Sequence, residues 1–253
     1  HARGLCASGS FAPAGDSRFQ RAALLNNGER PVTLRFSVGG PNPESDESVP
    51  GTRGVGIRIE LPGGDAHHFT GNNFPVAAGK DPATFLGFLA TLLPDDNGDY
   101  DPMKTRAYVQ ENPSVQANAA WRKNARTAAS YANTEYFGLH TFYYNPPSGE
   151  QTRFRWQLRP DLGVQTLSKA EAAKQPPHFL ASTFARQLDQ GAVRFTLEAS
   201  IGEPGDSDID PSVQWPEART KVTLGSITVL ESGGAECDDI NFDPVSILCG
   251  CKF

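Results

Sequence analysis

Three short polar clusters stand among otherwise apolar, strand-like runs: His1-Ala2-Arg3-Gly4, Arg35-Phe36-Ser37 and Gly71-Asn72-Asn73. An imidazole can take up and return a proton near neutral pH. A serine hydroxyl can bond one ring nitrogen and fix the tautomer. An uncharged asparagine amide can donate to an oxygen that develops negative charge. His1, Ser37 and Asn72 therefore read together as an acid–base site with an orienting hydroxyl and a second polar donor, and Arg35 adds a forked cation that suits a carboxylate. Chain ends fray and a catalytic base must be held by its surroundings, so a catalytic His1 implies that the sequence starts inside a longer protein.

Taken singly, the same residues have plainer readings. A terminal histidine is ordinarily a tail residue, an arginine in a strand makes a cross-strand ion pair, and Asn-Asn after glycine sits in a turn. His67 and His68 read as hairpin residues, His140 as a core or strand histidine, and His178, after two prolines, as a helix-start residue.

The elements that must position these groups are mostly strands. Residues 31–38 and 54–61 alternate apolar and polar with a β-branched bias. The Gly-, Pro- and Ser-rich stretch 39–51 is a loop, and Pro62-Gly63-Gly64-Asp65 is a turn into a third strand at 67–70. At Asp81-Pro82 the pattern becomes helical, with a cap, a first-turn proline and Phe85, Phe88, Leu89 and Leu92 at helical spacing. Residues 112–130 read as a second helix and 177–190 as another, while 137–144, 152–158, 193–201 and 222–231 read as strands. Without strand–helix alternation this is an α+β arrangement.

With 253 residues, 38% hydrophobic content and 15 Phe, one domain can bury roughly 70–75% of its unfolded surface without staples. A net charge of −6 and the lack of a basic run argue against a nucleic-acid partner. The longest apolar run, 85–93, falls short of the ~20 residues of a membrane-spanning helix. Cys6 lies near one end of the chain while Cys237, Cys249 and Cys251 crowd the other, which leaves two equal readings: a bridge from Cys237 to Cys249 or Cys251 in an oxidising compartment, or free thiols. Composition leaves the compartment open between cytoplasmic and exported.

In order along the chain, His1-Ala2-Arg3-Gly4, Arg35-Phe36-Ser37, Arg53-Gly54, Gly71-Asn72-Asn73-Phe74-Pro75, Asp81 to Phe85 and Gly138-Leu139-His140-Thr141-Phe142 resemble the motifs of the haem catalases, especially the small catalase-related peroxidases. Looser matches continue through Phe154-Arg155-Trp156, Trp215-Pro216 and Asn241-Phe242-Asp243-Pro244. The resemblance implies a closed antiparallel β-barrel with added helices and a buried haem b. It further implies His1 as the distal acid–base group, Ser37 as its hydroxyl partner and Asn72 as the amide that positions peroxide. Arg35 would pair with a haem propionate, Phe85 would pack near the distal face, and His140 would lie in the network behind the proximal ligand. The implied function is a haem-dependent peroxidase acting on hydrogen peroxide or organic peroxides with an organic electron donor and weak catalase activity, in a chain able to form a homo-oligomer.

The metal ligand is where the chain departs from the pattern. The family binds iron through a tyrosine phenolate on a helix beyond Phe-Asp-Pro, whereas all six tyrosines here stand at or before Tyr144. The expected organisation is a single catalase-like domain, 1–253, without the family's N-terminal arm and proximal-ligand helix. Two alternatives accompany this reading: a haem-free catalase-fold binding protein or nicotinamide-using oxidoreductase, and a haem protein with Cys249 or Cys251 as thiolate ligand. Ala77-Ala78-Gly79, where large catalases carry aromatic residues, would open the distal side to larger peroxides or donors.

Overall fold

A computed structural model describes residues 1–15, 17–19, 22–25, 28–146, 149, 151–244 and 251–252. The first four long strands, β1 (Arg3–Pro13), β2 (Arg30–Val38), β3 (Arg53–Glu60) and β4 (Ala66–Asn72), form an antiparallel meander. Helices α1 (Pro82–Ala90), α2 (Pro102–Glu111) and α3 (Pro113–Asn124) follow. Next come the short strands β5 (Thr127–Ala128), β6 (Tyr136–Phe137) and β7 (Phe142–Tyr144), the long β8 (Thr152–Pro160) and the short β9 (Thr166–Leu167). The chain continues through α4 (Lys169–Ala172), α5 (Phe179–Asp189), β10 (Val193–Ile201), β11 (Lys221–Ser232) and β12 (Cys251–Lys252).

The sheet runs β10-β11-β1-β2-β3-β4-β6-β8, and β8 pairs back onto β10. The result is the expected closed barrel with segregated helices. Its interior is filled rather than hollow: Phe11, Leu34, Phe36, Ile57, Ile59, Phe195, Leu197, Ile227 and Val229 are all fully buried. Phe36 packs within 5.4 Å of Tyr131 and 5.1 Å of Phe184, the latter from α5. Each such side chain contributes about 1.5–3 kcal/mol on burial, so the inward alternation fixes which residues face out. Chemistry has to take place on the outer face.

Four elements differ from the sequence reading, the first being the strand read over 137–144, which is interrupted between Phe137 and Phe142 and gives β6 and β7. Strand β1 escapes periodicity analysis because Gly4, Ala7, Ser8, Gly9 and Ser10 have little intrinsic strand preference; it forms because β2 and β11 flank it. Helix α2 uses the same Asp-Pro start as α1, with the Asp101 carboxylate accepting from the Met103 amide. The expected helix over 112–130 ends at Asn124, where Ala125 turns extended and Thr127–Ala128 instead pair with Thr166–Leu167.

Candidate active site

Strand register assembles the three polar clusters. Ser37 lies opposite Gly4 on one side and Gly54 on the other, and Gly54 lies opposite Asn72. Directly opposed residues share a face, so Gly4, Ser37, Gly54 and Asn72 form one row across the outside of the barrel, and Asn72 extends it to Phe137 of β6. His1 lies on this row with its Nδ1 2.7 Å from Ser37 Oγ. A Cβ on Gly54 would stand 2.6 Å from Ser37 Oγ and 2.7 Å from His1 Nδ1; only glycine leaves room for the pair.

His1 is held despite its position. The Ala2 amide donates to Gly40 O at 3.0 Å, and an Arg35 Nη2 donates to His1 O at 3.3 Å. Arg3 anchors the start of β1: its guanidinium donates to Pro43 O, Ser45 O and the buried Glu47 carboxylate. The other Glu47 oxygen accepts from the Leu180 amide of α5. With Nδ1 committed to Ser37, Nε2 is the ring nitrogen left for proton exchange.

Asn72 is oriented by its own turn. Its Oδ1 accepts from the Phe74 amide at 2.8 Å, so Nδ2 is the donor end. Asn73 fastens the turn to β3 by accepting from the Arg53 amide at 2.8 Å and donating to Gly51 O at 3.2 Å. The following segment is pinned by α3: buried Asn118 donates to Val76 O at 2.8 Å, and Arg122 lies over the Phe74 ring while donating to Asn118 and Thr52. Motif order did not reveal Glu47, Asn118 or Arg122, because the partners that tie them to the rest of the fold lie 42 to 133 residues away.

Arg35 occupies the next row, Cys6–Arg35–Gly56–Thr70. Its guanidinium lies across β1 where a Cβ on Gly4 would overlap it, and Nε faces the Asp238 carboxylate at 3.6 Å. Phe85 projects from α1 and is 44% exposed. His140 follows β6 on the surface, its pKa lowered by partial burial and by Arg155. Arg155 is itself buried, donating to Thr141, Val213 O and Ser207 O and lying 4.7 Å from the Trp215 ring centroid. The structure thus brings His1, Ser37, Asn72 and Arg35 onto one face and places Phe85 and His140 on neighbouring elements.

The cysteine expectation is corrected. Cys237 is bonded to Cys6, with Cα atoms 5.5 Å apart, because residues 233–242 return across β1 and bury both sulfurs. Cys249 and the side chain of Cys251 lie outside the described residues.

The family model for catalases matches residues 1–204. The chain belongs to the catalase family. Among curated relatives it is 31% identical to the catalase-related peroxidase of Synechococcus elongatus, covering 100% of this chain and 76% of that protein. It is also 31% identical to the catalase-related peroxidase of Mycolicibacterium paratuberculosis, covering 100% and 81%. A bacterial catalase structure superposes with a TM-score of 0.88 at 19% identity, covering 99% of this chain and 52% of that one. Catalase A from Saccharomyces cerevisiae gives 0.87 at 19% identity, covering 100% and 56%. At that identity the structures establish the fold, and the chain spans about half the length of these solved catalases. Membership places the chain among the peroxide-acting oxidoreductases, in a family whose members bind haem.

The outer face suits a flat cofactor on its distal side. Gly54 and Gly56 carry no side chain on two adjacent rows, so His1 and Ser37 pack directly over Gly54 and the Phe242 ring over Gly56, and these groups with Asn72 make up the surface that such a cofactor would meet. The six tyrosines serve elsewhere: Tyr131, Tyr136 and Tyr144 in the barrel core, Tyr143 beside Asp208, and Tyr100 and Tyr108 bonded to Thr105 and Thr84 O. None stands on β1 to β4, and the described residues offer no tyrosine as axial ligand to this face.

Proposed function

We propose that the chain acts as a haem b-dependent peroxidase that reduces hydrogen peroxide or organic peroxides with electrons from an organic donor, with weak catalase activity. The observation that carries this reading is the His1 Nδ1–Ser37 Oγ contact at 2.7 Å in the same row as Asn72. His1 Nε2 takes the proton from one peroxide oxygen and returns it to the other, so that the departing oxygen leaves as water or an alcohol rather than as an anion. Ser37 keeps Nδ1 occupied and the ring in place during both transfers. The Asn72 Nδ2 group donates to the peroxide and orients it without adding charge. Arg35, in the adjacent row with its guanidinium lying over Gly4, is the cation available to a propionate. Haem, when bound, supplies the iron centre that accepts the oxidising equivalents of the O–O bond. The small residues Ala77, Ala78 and Gly79 support access for bulkier peroxides and donors, and the Cys6–Cys237 bridge supports an oxidising, exported location.

A visible spectrum of the purified, haem-supplemented protein tests this. The expected result is a Soret band, with His1→Ala abolishing peroxide turnover while leaving that band intact. Unchanged turnover in His1→Ala would overturn the distal role, and no Soret band would favour the haem-free reading.

A further inference from the structure

The Cys6–Cys237 bridge lies at one end of a row that the proposed mechanism uses only through Arg35. Residues 237–242 run along that row position by position. Cys237 is bonded to Cys6, Asp238 faces Arg35 at 3.6 Å, and the Phe242 ring covers Gly56, where a Cβ would stand 2.6 Å from the ring. Phe242 O accepts from Thr70 Oγ1 at 2.7 Å. We propose that the Cys6–Cys237 bridge is a positioning device of the site, fastening residues 237–242 as a strap that sets the Arg35 guanidinium and the Phe242 ring beside the His1–Ser37–Asn72 row.

Among the described residues the strap has one covalent cross-link, the bridge. Its backbone bonds are local turns, Asp238 to Ala235, Ile240 to Cys237 and Asp243 to Asn241. Among the described residues its ties to the barrel, besides the bridge, include the Thr70 bond, the Phe242 ring over Gly56 and beside His68, and an ion pair whose carboxylate is 60% exposed and therefore screened. Segments with few long-range bonds open locally at low cost. The bridge counters this by joining positions 231 residues apart, and the Cys237 amide caps it by pointing at Cys6 Sγ at 3.2 Å. A strap held in this way keeps the Phe242 ring in place over Gly56 and keeps Arg35 aligned over Gly4, bonded to the carbonyl of His1.

The consequence for cofactor binding rests on the proposed peroxidase reading; the strap itself can be tested without haem. Dithiothreitol transfers two electrons and two protons to the bridge, giving two thiols and the cyclic disulfide of the reagent. Because both sulfurs are buried, the double variant Cys6→Ser with Cys237→Ser accompanies reduction. In haem-free protein, hydrogen exchange over residues 233–244 should quicken at least tenfold in both forms while β10 stays protected, and the Arg35 Nε–H resonance should shift. In haem-loaded protein, the same changes should weaken haem retention about tenfold. Two reactive thiols in the untreated protein, unchanged exchange over 233–244 after the bridge is shown open, or an unmoved Arg35 resonance would each overturn the proposal. Failure of the oxidised protein to take up haem would count against the peroxidase reading and leave the exchange and resonance measurements to decide the strap.

Discussion

Gly54→Ala is the most direct test of the row. The added Cβ would lie 2.6 Å from Ser37 Oγ and 2.7 Å from His1 Nδ1, about 0.8 Å inside ordinary contact. Strand β3 is paired on both sides through Gly54, so the backbone cannot retreat, and the imidazole is the part that moves. Misplacing a catalytic group by about 1 Å costs roughly 100-fold in rate, which corresponds to about 2.7 kcal/mol of transition-state stabilisation. Stability should suffer less. Overpacking a closed core costs about 1–3 kcal/mol, and His1 is on the surface and can swing outward, so a loss near 1 kcal/mol and a fall in Tm of about 2–4 °C are expected. Steady-state peroxidase kinetics on haem-loaded protein, beside a Soret spectrum and a thermal melt, separate the two effects. Turnover within threefold of the parent, with the Soret band intact, would refute the placement of His1 and Ser37 over Gly54.

Ser37→Ala removes the Nδ1 partner at 2.7 Å; a net hydrogen bond of about 1 kcal/mol predicts a fall in kcat of roughly five- to tenfold with KM little changed, read by steady-state kinetics. Asn118→Ala leaves Val76 O and Arg122 Nε without a buried partner and should destabilise by about 2 kcal/mol while raising KM through a looser Asn72 turn; a melt and a kinetic titration check both. His67 is buried, with its pKa lowered to about 4 chiefly by desolvation, so the folded state favours the neutral ring. Its contribution is fully present above the unfolded pKa near 6.5 and is lost as pH falls towards about 4, amounting to roughly 3 kcal/mol at most. Urea midpoints at pH 7 and pH 4 should therefore lie closer together in His67→Leu than in the parent, and an equal gap would exclude His67 as a source of acid sensitivity.

Strands and helices with a strong period were legible in the sequence, and elements stabilised by their neighbours were not. Residues 31–38 and 193–201 announce themselves because Val32, Leu34, Phe36, Phe195 and Leu197 alternate with polar residues. β1 is strand only because β2 and β11 supply its hydrogen bonds. At the site, His1, Ser37, Asn72 and Arg35 were found through motif order and fall on one face. Glu47, Asn118 and Arg122 were missed since a lone Glu, Asn or Arg carries no local signature and acts through partners distant in sequence. The bridge was not legible because proximity along the chain offered Cys237 only Cys249 or Cys251 as partners, beside free thiols, whereas the fold brings Cys6 and Cys237 together across 231 residues.

The geometry of the site is set by the core more than by the motifs themselves. Side chains alternate faces with a period of two, so a one-residue slip of β4 against β3 would turn Asn72 into the barrel and Gly71 out. Gly71 cannot serve outside, and Asn72 has no place inside: a Cβ at Gly71 would stand 2.6 Å from the Trp156 ring. The slip is also opposed by Phe69, the inward aromatic residue of β4, which is buried against Trp156 and would be forced into solvent by it. Moving that side chain out of the core would cost roughly 1.5–3 kcal/mol, a sizeable share of the stability of a domain, and the clash at position 71 adds to it. The alignment of Ser37, Gly54 and Asn72 is therefore as secure as the barrel. Substitutions in the core that leave register intact should lower stability without separating His1 from Ser37, whereas the chemistry is vulnerable at the glycines, where a single methyl group changes the outer face and leaves the core untouched.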